Sequence, residues 1–209
     1  MIARSFLILS FLLLSGTVTA TNAERMLSMK IGMTWPRALL STGMPTGDAE
    51  VNYGIIVDNK VALGVSGNFL WNVQAKEERV QDASTTRYKI VSEQKTFMFP
   101  IMGFFQLDPV PDLIVHPVAT FKIGYNSMIY SYTESDNTGG NANPVSPYFY
   151  GMIIKAGAEA LYDLGERSSL FLGMEYRWAD TKTNSNASDW FDKRNMGGIG
   201  LFAGFRLIL

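Results

Sequence analysis

The sequence predicts an all-β fold, an eight-stranded antiparallel up-and-down transmembrane β-barrel, and three observations lead to this prediction. Residues 198–209 alternate between a wholly apolar face, which includes Ile199 and Leu201, and a face of small or mixed residues. Seven further segments that can be read as strands precede this one, and the connections between them are alternately long and short. Long loops at one end and short turns at the other are typical of outer-membrane barrels.

Residues 1–23 have the pattern of a cleaved signal peptide. Arg4 precedes an apolar stretch at residues 5–15 that is too short to span a bilayer as a helix. Small residues around Ala20 and Ala23 fit a cleavage site, and we expect cleavage after Ala23. Residues 24–209 are therefore predicted to form one outer-membrane β-barrel domain.

The first four strands differ in the quality of their alternation. They are predicted at residues 28–35, 50–57 and 60–74 and within residues 87–106. The third has the cleanest apolar/polar alternation in the chain, with Leu70 as an exception. The fourth alternates poorly, so its bounds are the least well defined.

The last four strands follow at similar spacing. They are predicted at residues 113–132, 148–162, 168–180 and 198–209. The sixth strand has tyrosines at both ends of an apolar face, which is the pattern of aromatic girdles at two membrane interfaces. The predicted girdle residues are Trp35, Trp71, Tyr148, Tyr150, Tyr162, Tyr176 and Trp178.

The long connections are expected to face the outside of the cell and the short turns the periplasm. The predicted loops are residues 37–49, 75–86, 133–147 and 181–192. They are the candidate contact surfaces for an extracellular ligand. The net charge of −1 gives no reason to expect a nucleic-acid partner.

The inward faces of the predicted strands carry charges, and these are the candidate functional residues. They are Lys30, Lys122, Lys155, Glu159, Glu175, Arg177 and Arg206. Five cations and two acids in a low-dielectric interior must pair or be strongly destabilising. Two interpretations remain open: a charged plug that fills the lumen, or a narrow anion-preferring pore in which Glu159 or Glu175 exchanges between Arg206 and Lys122. Glu159 and Glu175 lie on adjacent strands and are expected to be neighbours.

The sequence gives little support for an enzyme. The single histidine is His116, predicted at the periplasmic rim, and no His-x-Ser motif occurs that would fit a lipid-modifying barrel enzyme. There is no cysteine, and no pattern of metal ligands is present. We expect no catalytic residues, no cofactor and no metal.

These features together resemble the small eight-stranded outer-membrane barrels of the OmpA transmembrane domain and OmpX type. The resemblance covers residues 24–209 and is one of pattern. It implies a location in the cell outer membrane, contact with outer-membrane lipid, and recognition by the barrel-assembly machinery through the C-terminal strand. It favours a structural or surface-interaction role. A soluble periplasmic lipocalin-like binder is the less favoured alternative, and it requires the apolar faces to point inward.

Overall fold

A computed structural model describes residues 24–36, 45–57, 59–82, 85–134, 148–183 and 193–209. These residues form ten strands: β1 (Glu24–Pro36), β2 (Thr46–Val57), β3 (Val61–Asp82), β4 (Thr85–Met98), β5 (Ile101–Leu107), β6 (Val115–Glu134), β7 (Tyr148–Gly165), β8 (Ser168–Thr183), β9 (Lys193–Asn195) and β10 (Gly198–Ile208). Within these ranges no helix has the length and apolarity needed to cross a membrane. The predicted signal peptide lies outside the described residues.

All the strands pair antiparallel with their neighbours, and the sheet closes on itself. β10 pairs with β1 along eleven residue positions, from Met26 opposite Ile208 to Pro36 opposite Gly198, and with β8 on its other side. β4 and β5 together form the fourth barrel strand, and β9 and β10 the eighth. The predicted eight-stranded antiparallel barrel is confirmed.

The break between β4 and β5 comes from a proline at a ladder position. Pro100 accepts a hydrogen bond from the backbone N of Asn68 at 3.0 Å but has no N–H to return. The ladder on the other side is kept, since Phe99 N donates to Ser127 O at 2.8 Å. The register with β3 and β6 is the same before and after the break. The barrel wall is therefore continuous there.

Side chains alternate between an apolar outer face and a mostly polar inner face. On β3, Val65 is 46% exposed on the outside, whereas the next residue, Ser66, is fully buried inside. On β8, Leu172 is 67% exposed and Glu175 is buried. The lipocalin-like alternative requires the opposite orientation, so it is wrong.

The predicted loop at residues 75–86 is largely wrong. β3 continues to Asp82 and pairs with β4 from Thr85, with a bulge between Lys76 and Glu77. Backbone hydrogen bonds between two polar strands need no apolar alternation, so the pattern that marked the other strands is missing here. The other predicted loops begin or end a few residues inside strands, and their central residues lie outside the described residues.

The opposite end of the barrel has short turns. Lys60 N donates to Val57 O at 3.3 Å, and Asn59 between them adopts a left-handed conformation (φ 56°), which asparagine tolerates. The other short connections are residues 108–114 and residues 166–167. We call this the turn end and the opposite one the loop end.

Candidate functional site

The lumen holds all seven of the predicted inward-facing charged residues. Each has at most 7% of its surface exposed, and Arg177 has none. They separate into two groups along the barrel. The first, called here the central cluster, contains Lys30, Asp48, Glu50, Lys122, Lys155, Glu175 and Arg177.

Glu50 on β2 is the hub of the central cluster. Its carboxylate contacts the Nζ atoms of three lysines: Lys122, Lys30 at 3.3 Å and Lys155 at 3.1 Å. Its side chain is 0% exposed. Lys30 lies directly opposite on the adjacent β1, whereas Lys122 and Lys155 come from β6 and β7 on the other side of the lumen. Glu50 therefore connects opposite walls of the barrel.

Glu175 on β8 completes the arrangement. It binds Lys30 Nζ at 2.5 Å and Lys155 Nζ at 2.7 Å, so these two lysines bridge Glu175 to Glu50. Lys30 also lies 3.9 Å from the centre of the Phe202 ring, a cation–π contact on the turn-end side of the cluster.

Asp48 lies at the edge of the cluster nearest the loop end. Its two oxygens accept hydrogen bonds from Thr34 Oγ1 at 3.1 Å and Asn68 Nδ2 at 2.7 Å. Lys155 and Arg177 approach it only to 3.9 Å. Asp48 is thus held mainly by neutral hydrogen-bond donors.

The second group lies closer to the turn end. Arg206 Nη2 is 3.7 Å from Glu159 Oε2 and donates to Gln106 Oε1 at 3.0 Å. Thr120 Oγ1 donates to Glu159 at 3.3 Å and accepts from Gln106 at 3.1 Å. Glu159 and Glu175, expected to be neighbours, belong to different groups because their strand positions are offset by two residues along the ladder.

His116 lies at the mouth of the turn end. Its Nδ1 is 2.5 Å from Asp108 Oδ2, and its Nε2 is 3.4 Å from Asp163 Oδ2. Asp163 also accepts from Ser169 Oγ at 2.7 Å. The contacts connect β6 to the β5–β6 turn and to β7 and β8. They border an open cavity of about 370 Å³ whose lining includes Arg206 and Gln106.

The predicted excess of cations over acids in the lumen is wrong. Buried acids also include Asp48, Glu50 and Asp108, which makes five carboxylates to five lysines and arginines among the described residues. The predicted loop at residues 37–49 includes Asp48, and Glu50 is the first residue of the predicted strand at residues 50–57. Their position every second residue with Asn52, also buried, was the available signal.

The loop-end half of the lumen contains a large apolar cluster beside buried polar residues such as Asn72, Thr96 and Asn126, and the alternation pattern does not predict this cluster. Its side chains are fully or nearly fully buried: Leu70, Met98, Met102, Met128, Tyr130, Phe149, Ile153, Ala179 and Met196. It explains the poor alternation of the fourth strand, where both faces are apolar. We call it the methionine-rich cluster. Charge therefore fills only part of the lumen.

Aromatic rings on the turn-end side pack against glycines. The rings of Phe104 and Phe202 lie where side chains on Gly64 and Gly173 would stand, about 2.7 Å from an ideal Cβ in both cases. These glycines are needed for close approach, because a ring could not otherwise lie flat against the inner wall.

The predicted girdle residues all lie on the outer face. Six are toward the loop end and Tyr162 is near the turn end. Tyr148, Tyr162 and Trp178 are about half exposed, at 51%, 48% and 51%. Tyr176 and Trp178 form an edge-to-face pair with centroids 4.4 Å apart, and Phe69 stacks on Trp71 at 5.4 Å.

The carboxylates of the lumen lie beside lysine, arginine or histidine side chains or accept hydrogen bonds from neutral donors such as Asn68 and Thr120. The described residues contain no cluster of three metal-ligating side chains. The two nitrogens of His116 face different carboxylates, so the three residues do not converge on one point. Ion pairs and the methionine-rich cluster therefore occupy different parts of the lumen.

The comparisons with known proteins give a likeness of structure but none of sequence. No protein-family model matches the chain, and no curated protein matches its sequence. The crystal structure of Neisserial surface protein A is similar over 90% of this chain and 97% of that one, with a TM-score of 0.53 and 13% identity. A major outer membrane protein from Thermus thermophilus is similar over 90% of this chain and 100% of that one, with a TM-score of 0.49 and 12% identity. The outer membrane protein OprG from Pseudomonas aeruginosa is similar over 90% of this chain and 96% of that one, with a TM-score of 0.46 and 12% identity. At 13% identity the likeness to the first of these shows the fold alone: this chain has the architecture of small outer-membrane barrels.

Proposed function

We propose that the chain is an outer-membrane protein whose barrel does not conduct and serves to anchor its surface loops. The observation that carries the proposal is the division between the two faces of the wall. Apolar side chains such as Ile31, Ile101 and Leu172 are 65–68% exposed on the outside. A continuous apolar outer surface of this kind is stable in lipid and aggregation-prone in water.

The dense packing of side chains in the lumen supports the non-conducting role. Ions crossing it would have to pass the methionine-rich cluster and then the Glu50 hub, where every charged group has at most 7% exposure. An eight-stranded barrel is just wide enough to be filled by side chains. Activity would then lie in the loops between the strands, which belong mostly to residues outside the described ranges.

A narrow channel is the second candidate, favoured by one observation. Glu50 and Glu175 share Lys30 and Lys155, so the pairs can rearrange without leaving a charge alone. Single-channel recording in planar bilayers separates the two candidates. We expect no conductance steps from the folded protein. Reproducible steps that change with Lys155→Met, but not with the turn-end variant Glu166→Gln, would favour the channel.

The remaining parts of the proposal concern partners and enzymatic activity. We infer a non-enzymatic role, supported by the absence of a His-x-Ser motif in the sequence.

We also propose that the barrel-assembly machinery recognises β10, whose outer residues Ile199 and Leu201 are half exposed and apolar. Replacing both by serine should reduce the amount of folded protein in the outer membrane. Unchanged amounts would contradict recognition through this face.

A further inference from the structure

Arg177 has an unusual position for a guanidinium. It is 0% exposed. Its Nε donates to the carbonyl of Met196 at 3.0 Å, but neither Nη atom has a hydrogen-bond partner among the described residues. Asp48 Oδ2 is 3.9 Å from Nη1, which is too far for a hydrogen bond, and the oxygens of Asp48 already accept from Thr34 and Asn68.

The central cluster has an excess of positive charge. Its four cations, Lys30, Lys122, Lys155 and Arg177, face three carboxylates, those of Asp48, Glu50 and Glu175. The other buried charges are paired elsewhere: Arg206 is near Glu159, and Asp108 is in contact with His116. Among the described residues the cluster therefore carries one uncompensated positive charge in the middle of the barrel.

A negative charge that compensates this excess would lie beside Arg177. The three lysines each lie within 3.3 Å of a carboxylate oxygen, whereas no carboxylate of the described residues comes that close to Arg177. Water molecules could accept from its two Nη atoms, but they would leave the net charge in place. A buried uncompensated charge is strongly unfavourable at low dielectric constant.

We propose that the central cluster binds one monovalent anion, of about the size of chloride, at the Nη atoms of Arg177. Thr46 pairs with Thr34, whose hydroxyl donates to Asp48, and the buried hydroxyl of Thr46 has no partner among the described residues. We include Thr46 as the candidate second donor. The anion is a structural component that need not move through the barrel. The site goes beyond the proposed function and does not depend on it.

The test is the dependence of stability on the anion. The full chain is refolded from urea into detergent in sodium chloride or in sodium gluconate at equal ionic strength, since gluconate is too large for a buried site. The melting temperature is read from the loss of the folded band on unheated gels. We expect a higher melting temperature in chloride, and the increase should grow with the logarithm of the chloride concentration once that exceeds the dissociation constant of the site.

Two variants locate the site. Arg177→Gln removes the excess charge and should abolish the difference between the two salts. Asp48→Asn leaves two excess positive charges and should enlarge it. Arg206→Gln, in the other group, is the matched control and should keep the difference seen in the unmodified chain.

A crystallographic measurement is independent of how the variants fold. Crystals grown in sodium bromide should show an anomalous peak within about 3.5 Å of the Arg177 Nη atoms, since an anion accepts hydrogen bonds at slightly longer distances than oxygen does. Equal melting temperatures of the unmodified chain in both salts, or an unchanged salt effect in Arg177→Gln, would overturn the proposal. So would bromide crystals without a peak beside Arg177.

Discussion

The methionine-rich cluster and the central cluster fill neighbouring parts of one lumen by different means. The first excludes water by packing nine apolar side chains. The second places seven charged side chains together in the middle of the barrel. Apolar packing tolerates the loss of one member at the cost of a cavity, whereas an ion cluster loses the charge balance of all its members. The difference predicts how mutations in the two regions should behave.

The largest effect is expected at Glu50. Glu50→Gln leaves three buried lysines without their shared carboxylate, and we expect a loss of about 3–5 kcal/mol in the free energy of unfolding. Urea unfolding in detergent, followed by tryptophan fluorescence, measures it. Glu166→Gln, at an exposed turn, is the control and should change little. If Glu50→Gln and Glu166→Gln were equally stable, Glu50 would not be the hub of the central cluster.

Met128→Ala tests the apolar region in the same assay. Met128 is fully buried and lies opposite Met98 across the β4–β6 ladder. We expect a loss of about 2–5 kcal/mol from the lost apolar burial and the cavity. Met174→Ala, on the outer face with 59% exposure, is matched in chemistry and should cost clearly less. A loss in the free energy of unfolding for Met174→Ala as large as that for Met128→Ala would contradict this prediction.

Leu172→Arg tests whether the outer face contacts lipid. A charge on the lipid-facing side near the middle of a membrane destabilises a barrel by about 2–4 kcal/mol. The variant should lose that much when folded in phospholipid vesicles. Lys182→Leu, at an exposed position toward the loop end, is the reverse change and should have little effect. A neutral result for Leu172→Arg would mean that this face is in water.

The smallest of the four effects is expected at the turn-end mouth. His116→Asn cannot reach both Asp108 and Asp163, and we expect a loss of about 1–2 kcal/mol, the low end of the range for contacts with charged groups at a partly exposed site. The Asp163 side chain is 41% exposed, so solvent weakens its share. Urea unfolding with the exposed-turn variant Asp112→Asn as control checks this. A loss as large as that at Glu50 would show that the mouth and the centre act as one unit.

The wall of the barrel could be predicted from sequence because it follows a period of two. Wherever one face is apolar and the other is not, as at Val65 and Ser66, alternation fixes both the strand and its orientation. The prediction failed where that contrast disappears. The sequence of residues 75–86 is mostly polar and gives no such contrast, and around Met98 both faces are apolar.

The partners of the lumen charges could not be predicted in the same way. Alternation says that Lys122 points inward, but its contact with Glu50 joins positions 72 residues apart across the lumen. Such pairs depend on how strands stagger around the barrel, which a single strand does not encode. Glu50 is absent from the predicted lumen charges for a simpler reason, since it lies at the boundary of a predicted loop.

Spin labels on the outer wall test the central claim most directly. The chain has no cysteine, so Val65→Cys, Leu172→Cys and Lys182→Cys each give one labelling position. In vesicles, the labels at Val65 and Leu172 should collide more with oxygen, which dissolves in lipid, than with a water-soluble nickel chelate. The label at Lys182 should show the reverse. Nickel collisions at Val65 and Leu172 as frequent as at Lys182 would contradict a lipid-facing wall.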